Sequence, residues 1–485
     1  MGKRWPAHSD YARRPARAPA WSALALAAAM LAGCAPDIPI VEPVPAIDIP
    51  AGWTLGGQAG DQEWPDANWW NRFGSAELTE LVDEGQKSNL EIAEALSRVR
   101  QAEAQARLSG VPLLPTADFS SGAYQSVPLR GKDNLSASGQ LQLAYEVDFW
   151  GKNKAGKASA EASLQANRYD RQTVALTVTS GIVATYLQVL SLHDRLKAAR
   201  ENVASAEHVL SLVMAQHDAG SASPLDLARQ RSAVAGQKTA LPDLMQQERE
   251  AQSALAILLG RSPQSFKVGN LGLDTVHLPE VTPGLPSELL SRRPDIRRAE
   301  AQLAAADANV AVARAALFPS IQLTASLGTQ SGSLLSLFNG ANVLANLGAS
   351  LAGPIFDSGR RKTQRDLAIE QKQELIHAYR SAVLSAFSEV DTVLGQIRSL
   401  DEQRKLKGIE LEQTRLAFNL SEVRYKVGAE DLMTVLDTQR SLSDVRNDLG
   451  ILKLKRLQAT VSLYKALGGG WRAAPSNPSG TAVNQ

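Results

Sequence analysis

The chain has 485 residues, 44% apolar and only 5% aromatic, with 51 lysines and arginines against 50 acids and a formal net charge of +1. That balance, with no long block of like charge, excludes the electrostatic footprint of a nucleic-acid binder. The single cysteine excludes an intrachain disulfide, and His8, His193, His208, His217, His277 and His377 keep no metal-ligand spacing.

Residues 1–33 have the layout of an export signal: Lys3, Arg4, Arg13, Arg14 and Arg17, then an apolar run from Trp21 to Leu31, then small residues. The run is too short to span a membrane, which takes about 20 residues. It ends in Leu31-Ala32-Gly33-Cys34, which resembles a lipobox, the site where bacterial lipoproteins are acylated on sulfur and cut before the cysteine. Cys34 is therefore the expected lipidation site, and the acyl groups on it are the only cofactor-like groups expected. Ala35, in place of an aspartate, directs such a lipoprotein to the outer membrane. Cleavage removes five basic residues and one acid, leaving 46 against 49, a charge of -3. Residues 34–75 form an extended N-terminal segment broken by prolines. Nothing further along the chain reads as a membrane-spanning helix, so any additional span is expected to be β-barrel.

From residue 76 the chain is built twice, as repeats 76–270 and 271–470. Gly151 and Gly359, Gly220 and Gly428, and Gly260 and Gly468 are each 208 residues apart. Each repeat reads as a short helix, two strands and a long helical hairpin. The strands are expected at about 116–126 and 135–147, then 320–329 and 342–352. Leu135, Ala137, Gly139, Leu141, Leu143, Tyr145 and Val147 alternate with Ser136, Ser138, Gln140, Gln142 and Glu146, as in a strand with one face in lipid and one in water. Four strands cannot close a membrane barrel, since the smallest use eight, so the barrel must be shared between copies.

The hairpins are expected at about 152–260 and 360–468. Gly220 has the chemistry of a helix C-cap and Ser223-Pro224 that of an N-cap and first helical residue. Leu442, Val445, Leu449 and Leu452 repeat at three-four spacing, as in a coiled coil. Pro242 is expected to kink the second helix. Residues 471–485, rich in Pro, Ser, Gly and Asn, read as a flexible tail.

Trp69-Trp70-Asn71-Arg72-Phe73, Arg292-Arg293-Pro294-Asp295-Ile296-Arg297 and Pro354-Ile355-Phe356-Asp357-Ser358-Gly359-Arg360 resemble motifs of the outer membrane factor family, the TolC and OprM-like channels, in its NodT lipoprotein branch. The resemblance covers residues 60–470. It implies a mixed α/β membrane protein: a homotrimer with a twelve-stranded β-barrel on an α-helical barrel, coupled to a periplasmic adaptor and an inner-membrane transporter. It implies passive efflux of drugs or other small molecules rather than enzymatic activity. It also places a periplasmic gate at Met433, Asp437 and Arg440, and a tip latch at Asp226, Tyr425, Gly220 and Gly428. Glu430 stands where TolC has an arginine, so that latch is not copied residue for residue. An exposed Asp437–Arg440 ion pair is the plainer reading of those two residues.

Two other readings are open to the same features. A type I secretion-type exporter would use the same channel, and a lipid-anchored periplasmic coiled-coil adaptor would share Cys34 and the hairpins. The alternating strands separate the adaptor from the channel. No glycine-rich phosphate loop follows a strand and no Gly-x-Ser-x-Gly elbow occurs, which disfavours an enzyme.

Overall fold

The computed structural model describes residues 48–54, 64–127, 134–281, 283–337 and 339–471. Cys34, the signal segment and the tail beyond residue 471 lie outside the described residues. In chain order the structure consists of α1 (Ala76–Ser88), α2 (Leu90–Gly110), β1 (Thr116–Ser126), β2 (Asn134–Val147), α3 (Lys152–Asp218), α4 (Pro224–Leu258), α5 (Pro286–Arg292), α6 (Pro294–Ala315), β3 (Ser320–Ser331), β4 (Val343–Ala352), α7 (Arg360–Lys426) and α8 (Leu432–Ala466).

The repeat is kept to the residue in the hairpins. α3 and α7 each have 67 residues, α4 and α8 each have 35, and every bound in the second hairpin lies 208 after its counterpart. At 1.5 Å per residue the long members are about 100 Å long. The spaced glycines explain the match: Gly151, Gly220, Gly260, Gly359, Gly428 and Gly468 all have φ between 69 and 87°, the left-handed region that other residues enter only at a cost. Gly260 and Gly468 carry a second constraint, because a Cβ would overlap the carbonyl oxygens of Ser88 and Arg292 respectively, the last residues of α1 and α5.

Where one short helix per repeat is expected from the sequence, the structure has two. Asn89 and Arg293 break them, both with extended backbone (ψ 132 and 122°). Asn89 uses its side chain to accept from Ile92 N at 3.0 Å and so caps α2. Pro294 excludes helical geometry at Arg293 and begins α6. The helix containing Pro242 continues to Leu258, whereas β3 runs two residues past its expected end.

The main core sits where the short helices meet the upper rods. Trp69, Phe73, Leu78, Tyr186, Leu190, Leu255 and Tyr464 are all nearly or fully buried there. Trp69 stacks on Tyr464 with centroids 4.7 Å apart and 19° between the planes. A window of α3 is apolar enough by length and composition to cross a membrane, contrary to the sequence reading, but half of it is buried. Val178, Ile182, Val183, Leu187 and Val189 belong to this core, which accounts for their hydropathy without lipid.

Candidate functional site

The four strands form one antiparallel sheet in the order β1-β2-β3-β4. Because side chains alternate along each strand, the pairing register decides whether the apolar sets share a face. They do. Phe119 lies opposite Leu141, Leu141 opposite Leu327, and Leu327 opposite Ala345, while Tyr145, Leu323 and Ala349 form a second row and Val147, Ile321 and Leu351 a third. On the other face Asp118, Gln142, Ser326 and Asn346 are aligned. Among the described residues most of the apolar face is uncovered: Phe119 is 74% exposed and Leu347 90%, whereas Ala137 near its end is buried. Among the described residues β1 and β4 are edge strands, each with a ladder of backbone groups that no other strand pairs.

At the far end of the rods the two hairpin turns lie together. Val209 and Val213 of α3, Tyr425 of α7, and Leu432, Val435 and Leu442 of α8 form a small core between them. Gln216 Nε2 donates to Tyr425 O at 3.4 Å and Gln439 Nε2 to Ser205 Oγ at 3.3 Å, fixing the hairpins in register. In the first turn Ser223 and Asp226 form a reciprocal capping box: Asp226 N donates to Ser223 Oγ at 3.1 Å, and Ser223 N to Asp226 Oδ2 at 3.2 Å. In the second, Asp431 accepts from Thr434 N at 2.8 Å, which holds its carboxyl below the usual range.

Asp226, Tyr425, Gly220 and Gly428, the four residues that the resemblance assigns to a tip latch, all lie at this one tip. Asp226 is committed to its capping box and reaches Tyr425 through charge rather than a hydrogen bond. Burial pushes the Tyr425 hydroxyl up, and the Asp226 charge adds to that. Gly220 and Gly428 close the two turns with φ of 77 and 72° and open space where a Cβ would stand. Glu430 turns inward on its own hairpin, pairing with Arg424 Nε at 3.2 Å and accepting from Thr434 Oγ1.

Met433, Asp437 and Arg440 follow one another at four and three residues on α8, and all are exposed, on the side away from Leu432, Val435, Gln439 and Leu442. Among the described residues neither Asp437 nor Arg440 has an ion-pair partner, so the plain ion pair between them does not form in this chain.

Two anchors went unread in the sequence. Arg293 is buried between Asp295, which it grips with Nε at 3.0 Å and Nη2 at 2.6 Å, Glu389 on α7 at 2.7 Å, and the Ala466 carbonyl at 3.2 Å. Burial pulls its pKa down, and the two carboxylates outweigh that so the net shift is upward. Residues 48–54 form a strap: Trp53 Nε1 donates to Gly284 O at 2.6 Å and its ring meets Phe387 edge-on, while Thr54 N and Oγ1 donate to Asp391 at 3.0 and 2.9 Å. Trp53, just after the prolines at 36, 39, 43, 45 and 50, was the available signal for the strap; Arg293 carried only a motif.

A family profile described as outer membrane efflux protein matches residues 81–261 and 285–469, the two repeats in turn. The chain belongs to the outer membrane efflux protein family. This efflux protein is 46% identical over 417 residues to the pyoverdine export outer membrane protein OpmQ of Pseudomonas aeruginosa, covering 84% of this chain and 88% of OpmQ. It is 30% identical to the probable outer membrane lipoprotein SilC of Salmonella typhimurium, covering 91% and 97%. A crystal structure of CusC superposes with a TM-score of 0.80 at 29% identity, covering 88% of this chain and 98% of CusC. The open state of the MtrE channel of Neisseria gonorrhoeae gives 0.78 at 28%, covering 88% and 96%. The efflux protein is accordingly an outer membrane channel, in a family of transport proteins rather than enzymes. Its architecture is the TolC-like one, mostly helical with a small sheet.

Proposed function

We propose that three copies join β4 of one to β1 of the next and close a twelve-stranded barrel, with the helical rods continuing as a conduit into the periplasm. The observation that carries this is the sheet itself: two unpaired edges and one uncovered apolar face. In lipid an open edge leaves backbone groups without partners, and closure satisfies them. The polar face then lines the pore. The conduit is passive, driven by an inner-membrane transporter through a periplasmic adaptor, and the acylated Cys34 is a supplementary anchor. Met433, Asp437 and Arg440 face the axis at the tip, where rings of three charges raise a barrier to ions. Asp226 and Tyr425 stiffen the closed tip.

The relatives make pyoverdine or a compound like it the first cargo to test, ahead of drugs or solvents, since OpmQ proteins of two Pseudomonas species match at 46% and 42%. Light scattering on the detergent-solubilised full-length protein is expected to give the mass of three chains, and planar bilayers a small closed-state conductance. A monomer that never conducts overturns the barrel and returns the chain to the class of anchored adaptors.

A further inference from the structure

Where the sheet passes into the rods, a cleft of about 270 Å³ opens beneath β2 and β3, bounded by Val147, Trp150, Lys152, Phe318, Arg360 and Arg361. Its aromatic wall is rigid. Trp150 stacks on Phe318 with centroids 4.4 Å apart and 17° between the rings, and its Nε1 donates to Pro319 O at 2.8 Å. Phe149 meets Trp150 edge-on and is 69% exposed. Of the strand residues that line the cleft, Val147 belongs to the apolar face, in one row with Ile321 and Leu351, while Glu146 and Ser320 lie on the polar face. The next two rows enclose an apolar hollow of about 480 Å³ lined by Leu143, Tyr145, Leu323, Ala325, Leu347 and Ala349.

The charges in the cleft are unbalanced. Its carboxylates are occupied, Glu146 by Lys152 at 2.7 Å and Asp148 by Asn153 N and Lys154 N at 2.9 and 2.8 Å. Arg361 donates to the Ala316 carbonyl at 2.6 Å and lies 4.0 Å from Asp357. Among the described residues the Arg360 guanidinium has no ion-pair partner, nor do the exposed Lys154 and Lys362 just beyond it. The first turns of α3 and α7 contain no acid. Cations there oppose the helix dipole, so the cluster favours an external anion.

We infer that this cleft holds the phosphate of an anionic phospholipid in the periplasmic leaflet, with Arg360 on the phosphate and Lys362 beside it, Trp150 at the interface and an acyl chain along the apolar hollow. Arginine matches phosphate geometry, tryptophan favours the headgroup level, and each basic residue near the surface strengthens anionic lipid binding. β2 and β3 are the inner strands of the sheet, so copies joined at β1 and β4 leave the cleft open. The inference rests on the proposed placement of the apolar face in lipid.

The test reconstitutes the full chain in vesicles of phosphatidylcholine containing either brominated phosphatidylglycerol or brominated phosphatidylcholine, and isolates the Trp150 signal by subtracting Trp150→Phe. Quenching by either lipid reports the membrane placement, and preference between them reports the site. Wild type is expected to favour phosphatidylglycerol about fivefold, Arg360→Gln with Lys362→Gln to fall to parity, and Arg360→Lys to keep most of the preference. Equal quenching by both lipids in wild type overturns the site while leaving the barrel standing; no quenching by either overturns the barrel placement as well. Loss of the preference on adding inorganic phosphate, at constant ionic strength set with chloride, shows a simple anion pocket and also overturns the lipid assignment. Retention of the oligomer's mass in the glutamine variant separates lost binding from lost folding.

Discussion

The Arg293 guanidinium joins three elements at one point: Asp295 at the start of α6, Glu389 in the middle of α7 and the last carbonyl of α8. Breaking one partner of such a buried pair strands the others without compensation, at about 3–5 kcal/mol. Arg293→Ala is therefore expected to lower the denaturation midpoint sharply, more than any single exposed-charge variant on the rods. The cluster also has a pH signature. Burial raises the Asp295 pKa and the Arg293 charge lowers it by more, leaving it below 3.8. Its contribution is fully present above that value and is lost as pH falls through the depressed one. Acid unfolding below pH 4 should lose this component in Asp295→Asn, visible as a shallower acid limb in thermal melts. The sequence showed Arg293 as part of a motif but not its task, because Glu389 lies 96 residues away. The punctuating glycines were legible for the opposite reason: a positive φ restricts a position locally, whatever packs around it.

Elements were readable where one periodicity ran uninterrupted. Alternation in residues 135–147 announced a strand because successive side chains point to opposite faces of a sheet, and proline-free stretches between glycines announced the rods. The breaks at Asn89 and Arg293 were not read, although Pro294 was a direct signal for the second. At the tip, α8 offers Met433, Asp437 and Arg440 along one exposed side while its opposite side is packed against α3 and α7. Under the gate reading, Asp437→Ala and Arg440→Ala should each raise closed-state conductance in planar bilayers by about threefold to tenfold, the range for removing a ring of charge from a narrow, partly dry constriction. Tyr425→Phe and Asp226→Ala should raise it less, since Tyr425 and Asp226 meet through packing and charge and not through a direct hydrogen bond. Unchanged conductance in all four would return Asp437 and Arg440 to the role of solvated surface charges.

At the scale of the whole molecule, duplication was legible from spacing alone, while the sheet order and the strap across α7 were not, since both depend on contacts between distant segments. The strap bears on the proposed lipid anchor at Cys34. Trp53 and Thr54 fix the N-terminal segment to the rods independently of the membrane. Cys34→Ala behind an ordinary cleavable signal is expected to yield a channel of wild-type mass and conductance, checked by light scattering and planar bilayers. Soluble, inactive monomer in the periplasm would show that acylation, not the barrel, holds the protein in place.

The equal lengths of the two hairpins, 67 and 35 residues twice over, make the chain its own ruler. Gln216 and Gln439 tie the two ends level, so neither rod can lengthen by a turn without tearing its tip from the other. Changes in reach must come in matched pairs, one in each repeat, and in multiples that preserve the three-four spacing. The distance such a channel covers can therefore change only in steps, and a single insertion in one hairpin costs the tip rather than extending it.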